Sequence, residues 1–347
     1  MRTFSILLVA ILLSACGFEA GSAELVTTTD GPDTVATPQA PELDLARAPR
    51  RTFYVARSGS DRSAGTRRRP FATIQKGLRR ARPGDQVVVR PGRYASARFV
   101  RSGTAAAPIR LTAHGKVVLR GGGSGDGIAV HGKRHIVISG FTVTRFSVGI
   151  SLAGAHDVVV RGNVLRSNTS TGIMNWEVSR VLIIGNRLLD PGPPYPMQPE
   201  AVQDYGVNVY YSESVSITDN YFFGKHNQAL SFKRHVLTSS ATGNDFEGCM
   251  YTCIYVGQND DDGEGDMTSR QITVRGNRFR PGRDPRTDVR YRVSIPIRVR
   301  NVRHAVVERN VIHPACLDRI DVERSPQGSG LTAGDNTVRR NHVRAWA

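Results

Sequence analysis

Short apolar runs, each followed by a polar turn, recur along most of this chain at a nearly fixed spacing. From about residue 108 they read HIVISGFTV, DVVVRGNVL, RVLIIGNRL, SVSITDNYF, SSATGNDFE, QITVRGNRF, HAVVERNVI and NTVRRNHV. Their markers are Gly140, Asn163, Asn186, Asn220, Asn244, Asn277, Asn310 and Asn341, spaced by 23, 23, 34, 24, 33, 33 and 31 residues. β-Branched runs of this length between turn residues predict strands rather than helices. A base period near 23 residues, lengthened in places by insertions of about ten, predicts an all-β, three-sided parallel β-helix. An Asn at a fixed turn tolerates the left-handed conformation and hydrogen-bonds its copies in neighbouring coils. A second strand start precedes several markers, at Gly149-Ile150, Gly172-Ile173, Gly206-Val207 and Pro296-Ile297.

Alternate side chains of a strand face opposite ways. Ile150, Ile173, Val207, Leu230, Ile254 and Ile297 are therefore expected inside the solenoid. Their neighbours then form one outward face: Met174 and Trp176; Asp204, Asn208 and Tyr210; Asn227, Ser231 and Lys233; Tyr251 and Tyr255; Arg298 and Arg300. The stretch from Asp204 to Gln258 holds the densest part of that face. Aromatic faces stack on sugar rings, and Lys and Arg meet carboxylates or sulfates. The glycine-rich run at residues 121–127 precedes no helical pattern, so it reads as a turn feeding the Gly127-Ile128 strand, not a nucleotide loop.

Residues 52–94 differ in character. After Pro70, the residues Phe71, Ile74, Leu78 and Ala81 share one helical face, and Pro83-Gly84 stops the helix. This segment resembles the N-terminal opening of right-handed parallel β-helix proteins, in which a short helix caps the solenoid. Such a cap covers core and strand edges that the first coil would otherwise expose. The region from about Phe53 onward resembles the pectate-lyase-type superfamily, including lyases of polyuronates and glycosaminoglycans. That resemblance implies a Lys or Arg base on an outward strand position, often beside a calcium site of acids and amides. Asn227-Gln228-Ala229-Leu230-Ser231-Phe232-Lys233 occupies the comparable place, one coil before Gly248-Cys249-Met250-Tyr251-Thr252-Cys253.

The termini and charge narrow the partners. An apolar run from Phe4 to Leu13 follows Met1-Arg2, too short to span as a transmembrane helix but suited to export. Leu13-Ser14-Ala15-Cys16-Gly17 resembles a bacterial lipobox, which implies lipidation at Cys16. The expected organisation is a signal peptide at 1–15, a disordered tether at 16–50 and the solenoid at 51–347. Among 347 residues the formal charge is +17, 35 are Gly, and only 7% are aromatic. A basic chain favours anionic partners, though Arg-rich codon usage gives the same balance. Export removes nucleic acid from that set and leaves acidic polysaccharide and, through the anchor, a membrane. The expected product is a monomer at the cell envelope or outside the cell.

β-Elimination removes the weakly acidic C5 proton of a uronic acid, so a base must be placed and the adjacent carboxylate neutralised. Lys233 is the expected base, its neutral form favoured by the like charge of Arg234 and nearby Arg298. Arg298 or Arg300 neutralises the carboxylate, Asn227 and Asn208 orient hydroxyls, and Gln228, Trp176, Asp204, Tyr210, Tyr251 and Tyr255 complete the binding set. The acidic cluster with Asp260, Asp262, Glu264 and Asp266 either offers oxygen ligands to Ca²⁺ or is a solvated loop. The outward face lacks many acids, so a metal-free mechanism fits better than a calcium-dependent one. It also lacks the carboxylate pair a hydrolase needs. His226 and His235 are acid–base groups or solvated turn residues. Cys249 and Cys253 form a local disulfide or remain two buried thiols, with Cys316 left over and buried. The rivals to a lyase are a non-catalytic carbohydrate-binding envelope protein and a uronate C5-epimerase.

Overall fold

Each coil of the molecule adds one strand to each of three parallel sheets. The computed structural model describes residues 35–190, 205–224, 226–257, 269–283, 290–291, 293–316, 320–322 and 336–344. The first sheet runs from Ala97–Arg98 through Asp126–His131, Val148–Ala153, Thr171–Trp176, Tyr205–Tyr210, Gln228–Lys233, Cys249–Gly257 and Val293–Arg300 to Asp321–Val322. The second begins with Thr52–Val55 and Gln86–Val89 and ends with Thr337–Arg339; the third runs from Gly92–Tyr94 to His342–Val343. Coil passes to coil in the order expected of a right-handed parallel β-helix with one short capping helix.

The alternation expected from the sequence holds inside the first sheet. Ile150, Ile173, Val207, Leu230, Ile254 and Ile297 stack in register and are fully buried. In the third sheet the inward column includes a run of rings: Phe222 stacks on Phe246 at 4.6 Å and Phe246 on Phe279 at 5.0 Å. The glycine that opens several first-sheet strands is a packing requirement. A Cβ on Gly172 would lie 2.6 Å from the Gly206 carbonyl oxygen of the next coil, closer than nonbonded atoms approach.

The markers form a continuous amide ladder. The Asn163 backbone N–H donates to Asn186 Oδ1, that of Asn186 to Asn220 Oδ1, and that of Asn220 to Asn244 Oδ1, at 2.9–3.0 Å. The ladder continues through Asn277 and Asn310 to Asn341. One detail differs from expectation: the left-handed residue is the one before the Asn. Gly162, Gly185, Asp219, Gly243, Gly276, Arg309 and Arg340 carry the positive φ. The Asn is thereby left to turn its amide along the solenoid axis, where each amide meets the next.

At the N-terminal end, the helix Ile74–Arg80 is capped by Thr73, whose side chain accepts from the Lys76 N–H. Phe71, Ile74, Leu78 and Ala81 are all buried against the first coil. The expected tether is not free along its whole length. Arg50 N–H donates to Gly84 O, Asp44 N–H to Ala105 O, and Glu42 N–H to Asp157 Oδ1. Arg110 also donates to the carbonyls of Asp44 and Arg47. A polar stretch without periodicity looks disordered, but its backbone finds partners on the second sheet's outer side. The expected signal peptide lies outside the described residues.

Candidate active site

Strand register decides which outward residues meet. Met174, Asn208, Ser231, Tyr255 and Arg298 stack in one outward column. Trp176, Tyr210, Lys233, Gly257 and Arg300 form the next, two residues further along each strand. Successive members are one coil apart, about 4.8 Å. The face expected from the sequence is therefore real, but it is less exposed than expected. Asn208 is 1% exposed, Ser231 0% and Tyr255 3%.

Lys233 sits at the centre. Its Nζ lies 4.8 Å from the Tyr205 ring centroid and 5.3 Å from that of Tyr255, and it donates to Tyr205 Oη at 3.3 Å. Burial pushes the Tyr205 phenol up to about 12, with nearby Tyr210 adding to the effect, so at neutral pH it keeps its proton. Asn208 Oδ1 accepts from the Ser231 hydroxyl. Gln228 Oε1 is buried with no hydrogen-bond partner among the described residues. Gly257 stands beside Lys233 in register, where a Cβ would collide with the Arg300 backbone carbonyl of the following coil.

Tyr205 was hidden from sequence reasoning. Counting back by twos from Val209 and Val207 puts it inside the core, yet its hydroxyl meets an outward lysine. No local signal marks it, because the close approach of Gly206 to the next coil repeats that of Gly149 and Gly172.

Aromatic side chains flank the lysine on its N-terminal side. Trp176 packs 5.5 Å from Tyr210 and 4.9 Å from Tyr211 and remains 39% exposed. On the other side, Cys249 and Cys253 are joined as a disulfide with Cα atoms 5.4 Å apart. Four residues of regular strand would span about 13 Å; the strand instead bulges between Cys249 and Thr252. The bulge projects Tyr251, which is 49% exposed.

Other expected residues stand differently. Arg298 is engaged by Asp321 of the following coil, Nε to Oδ2 at 2.7 Å, which competes with a substrate carboxylate for its guanidinium. Arg300 keeps its place in the Lys233 column. Asn227 contributes its carbonyl to the Thr252 N–H. His226 is buried with its ring edge toward Phe222, 6.5 Å away, and His235 is exposed at a left-handed turn position. Neither reaches the lysine's two columns in register. Cys316 is half-buried, not buried, and burial raises its thiol to about 11. Asp204, Asp260, Asp262, Glu264, Asp266 and Cys16 lie outside the described residues. Among the described residues no cluster of three His, Cys, Asp or Glu is arranged to hold a metal. Beside Lys233 the oxygen donors are amides and hydroxyls, a poor set for Ca²⁺.

The right-handed beta helix region of Pel9A-like proteins matches residues 53–275. This chain belongs to that family. Among individual proteins, the uncharacterized protein YwoF of Bacillus subtilis (strain 168) is 34% identical over 120 residues, 32% of this chain. That match spans about a quarter, 26%, of YwoF's length. The crystal structure of alginate lyase from Paenibacillus sp. str. FPU-7 has a TM-score of 0.56 at 17% identity, covering 85% of this chain and 99% of that one. PfbA, a surface adhesin of Streptococcus pneumoniae, has a TM-score of 0.60 at 14% identity, covering 78% and 73%. The lacto-N-biosidase of Eubacterium ramulus has 0.50 at 12% identity, covering 84% and 60%. A lyase, an adhesin and a glycosidase on one architecture establish the fold and leave the chemistry to the site.

Proposed function

We propose that this family member cleaves a uronate-containing polysaccharide by β-elimination, with Lys233 as base and Tyr205 as acid. The observation that carries the reading is the 3.3 Å contact between Lys233 Nζ and Tyr205 Oη on an outward, aromatic-lined face. The pair begins as neutral amine and neutral phenol. Lys233 takes the C5 proton, the C5–H electrons form the C4–C5 double bond, and the C4–O4 bond breaks. O4 takes the Tyr205 proton, and the lysine's acquired proton then passes to the phenolate, restoring both groups. The raised Tyr205 proton affinity favours that return. Asn208 Nδ2 and Arg300 are the donors for the substrate carboxylate, whose charge grows at the transition state. Gln228 Oε1 accepts from a sugar hydroxyl, and Trp176, Tyr210 and Tyr251 stack on flanking rings. No step requires a metal.

Base and acid this close must act on one face of the sugar, so the elimination is syn. Mannuronate and glucuronate present C5–H and C4–O on one face; galacturonate presents them on opposite faces. Polymers of the first two are the expected substrates, with polygalacturonate slower. Tyr205→Phe is expected to lower kcat about 10²-fold with KM little changed, measured by the absorbance of the unsaturated product. A kcat equal to wild type would remove Tyr205 from the mechanism.

Export belongs to the same proposal, because the polymer is met outside the cell. The Cys249–Cys253 disulfide supports it, since such bonds persist in oxidising compartments. Protein recovered from the cell envelope is expected to resist alkylation at both cysteines until reduced. Free thiols at both positions would contradict export.

A further inference from the structure

The chain's positive charge is concentrated at one end of the solenoid. Residues 51–101 hold thirteen Arg and one Lys against two Asp, which is +12 of the chain's +17. Both acids are engaged by the local fold. Asp61 is occupied by the N–H groups of Ala72 and Thr73 and the Thr73 hydroxyl. Asp85 is 2% exposed and accepts from the Arg82 N–H. The basic side chains project outward: Arg67, Arg68 and Arg69 before the helix, and Arg79 and Arg80 in its last turn, are all exposed. The helix dipole accounts for two of these at most. Folding alone does not explain the rest, because like charges packed together oppose the compact state.

This surface is continuous with the candidate site. Arg98 stands on the first strand of the first sheet, and its outward column runs Ala129, Ser151, Met174, Asn208, Ser231. That is five coil steps, or about 24 Å. Between cap and aromatic cluster the outward residues are Ala129, Ser151 and Ala153, with His131 in register with Ala153 and its ring hydrogen-bonded to Ser151. The neighbouring carboxylate, Asp126, is held by His131 at 3.3 Å. A carboxylate-poor floor thus connects an arginine-rich end to Lys233.

We propose that the cap is a second binding surface, a docking site for a linear acidic polysaccharide that lies along the first sheet with one end in the Lys233 site. The chemistry is multivalent: guanidinium groups pair with successive carboxylates or sulfates, each contact weak and the sum substantial. The direction of the polymer rests on the reading of Lys233 as the reacting centre; binding at the cap does not.

The test compares the full-length protein with Arg68→Ser/Arg80→Ser/Arg98→Ser, whose three side chains are exposed. A charge-matched control is Arg166→Ser/Arg309→Asn/Arg344→Ser, away from the cap. Each is titrated at low ionic strength with long alginate, long heparin, an alginate tetramer and phosphatidylglycerol vesicles. The cap variant is expected to bind the long polymers about 10-fold more weakly, with less than about a twofold change for the control. Tetramer binding should not move. Equal losses in both variants, or none in the cap variant, would overturn the proposal. So would loss of vesicle binding alone, which would make the cap a membrane surface. If the wild type turns over no polyuronate while the cap variant still loses long-chain binding, the lyase reading fails and this one stands.

Discussion

Lys233→Ala is expected to lower kcat on a polyuronate by about 10³-fold, while affinity for the same polymer changes little. The base touches the C5 proton only as it leaves, so its loss falls on the transition state and not on ground-state binding. Binding is carried by groups the substitution leaves in place: the rings of Trp176, Tyr210 and Tyr251, the Asn208 amide, and Arg300. The vacated space is bordered by Tyr205 and Tyr255. Fold integrity is checked by an unchanged melting curve. Wild-type turnover in this variant would remove Lys233 from the reaction; equal loss of kcat and affinity would make it a binding residue.

Asn220→Ala is expected to destabilise the solenoid by about 4 kcal/mol, measured by chemical denaturation. Asn220 Oδ1 accepts from both the N–H and Nδ2 of Asn186, and its Nδ2 donates to Ile183 O, Thr218 O and Asn244 Oδ1. The bonds to Asn186, Ile183 and Asn244 are buried, so removing the amide leaves the Asn186 N–H and the Ile183 carbonyl unsatisfied. Asn341, the last member, receives from Asn310 and donates to Val307 O in a partly exposed setting. Asn341→Ala should therefore cost only about 1 kcal/mol. Equal effects at the two positions would mean that the ladder's hydrogen bonds are not what holds the coils in register.

The scaffold was legible because its physics is periodic. The Asn markers, the inward Ile and Val column and the capping helix each repeat a pattern that one coil imposes on the next. The aromatic face and Lys233 were legible for the same reason, since alternation assigns a side to every residue once one is known. What escaped depends on departures from the repeat or on partners distant in sequence. Tyr205 is assigned to the core by alternation, yet its hydroxyl meets Lys233 of the next coil. Arg298 looked available for substrate until the following coil brought Asp321 against it. Residues 42–50 carry no pattern of their own, and only the finished second sheet offers their backbone its partners. The near-complete burial of Asn208 and Ser231 is likewise beyond periodicity, which assigns a residue a side but not its exposure. Charge was read as a property of the whole chain; its concentration at the cap acquires meaning only when Arg98 falls in register with Ser231.

The most direct test of the central claim is the ultraviolet absorbance of the C4–C5 unsaturated uronate, followed during incubation of the wild-type protein with polymannuronate, a glucuronate polymer and polygalacturonate. The account predicts a steady rise with the first two, slower with the third, unchanged by EDTA. Absorbance that stays flat on all three polymers, while the protein still binds them, would contradict elimination and leave a carbohydrate-binding solenoid.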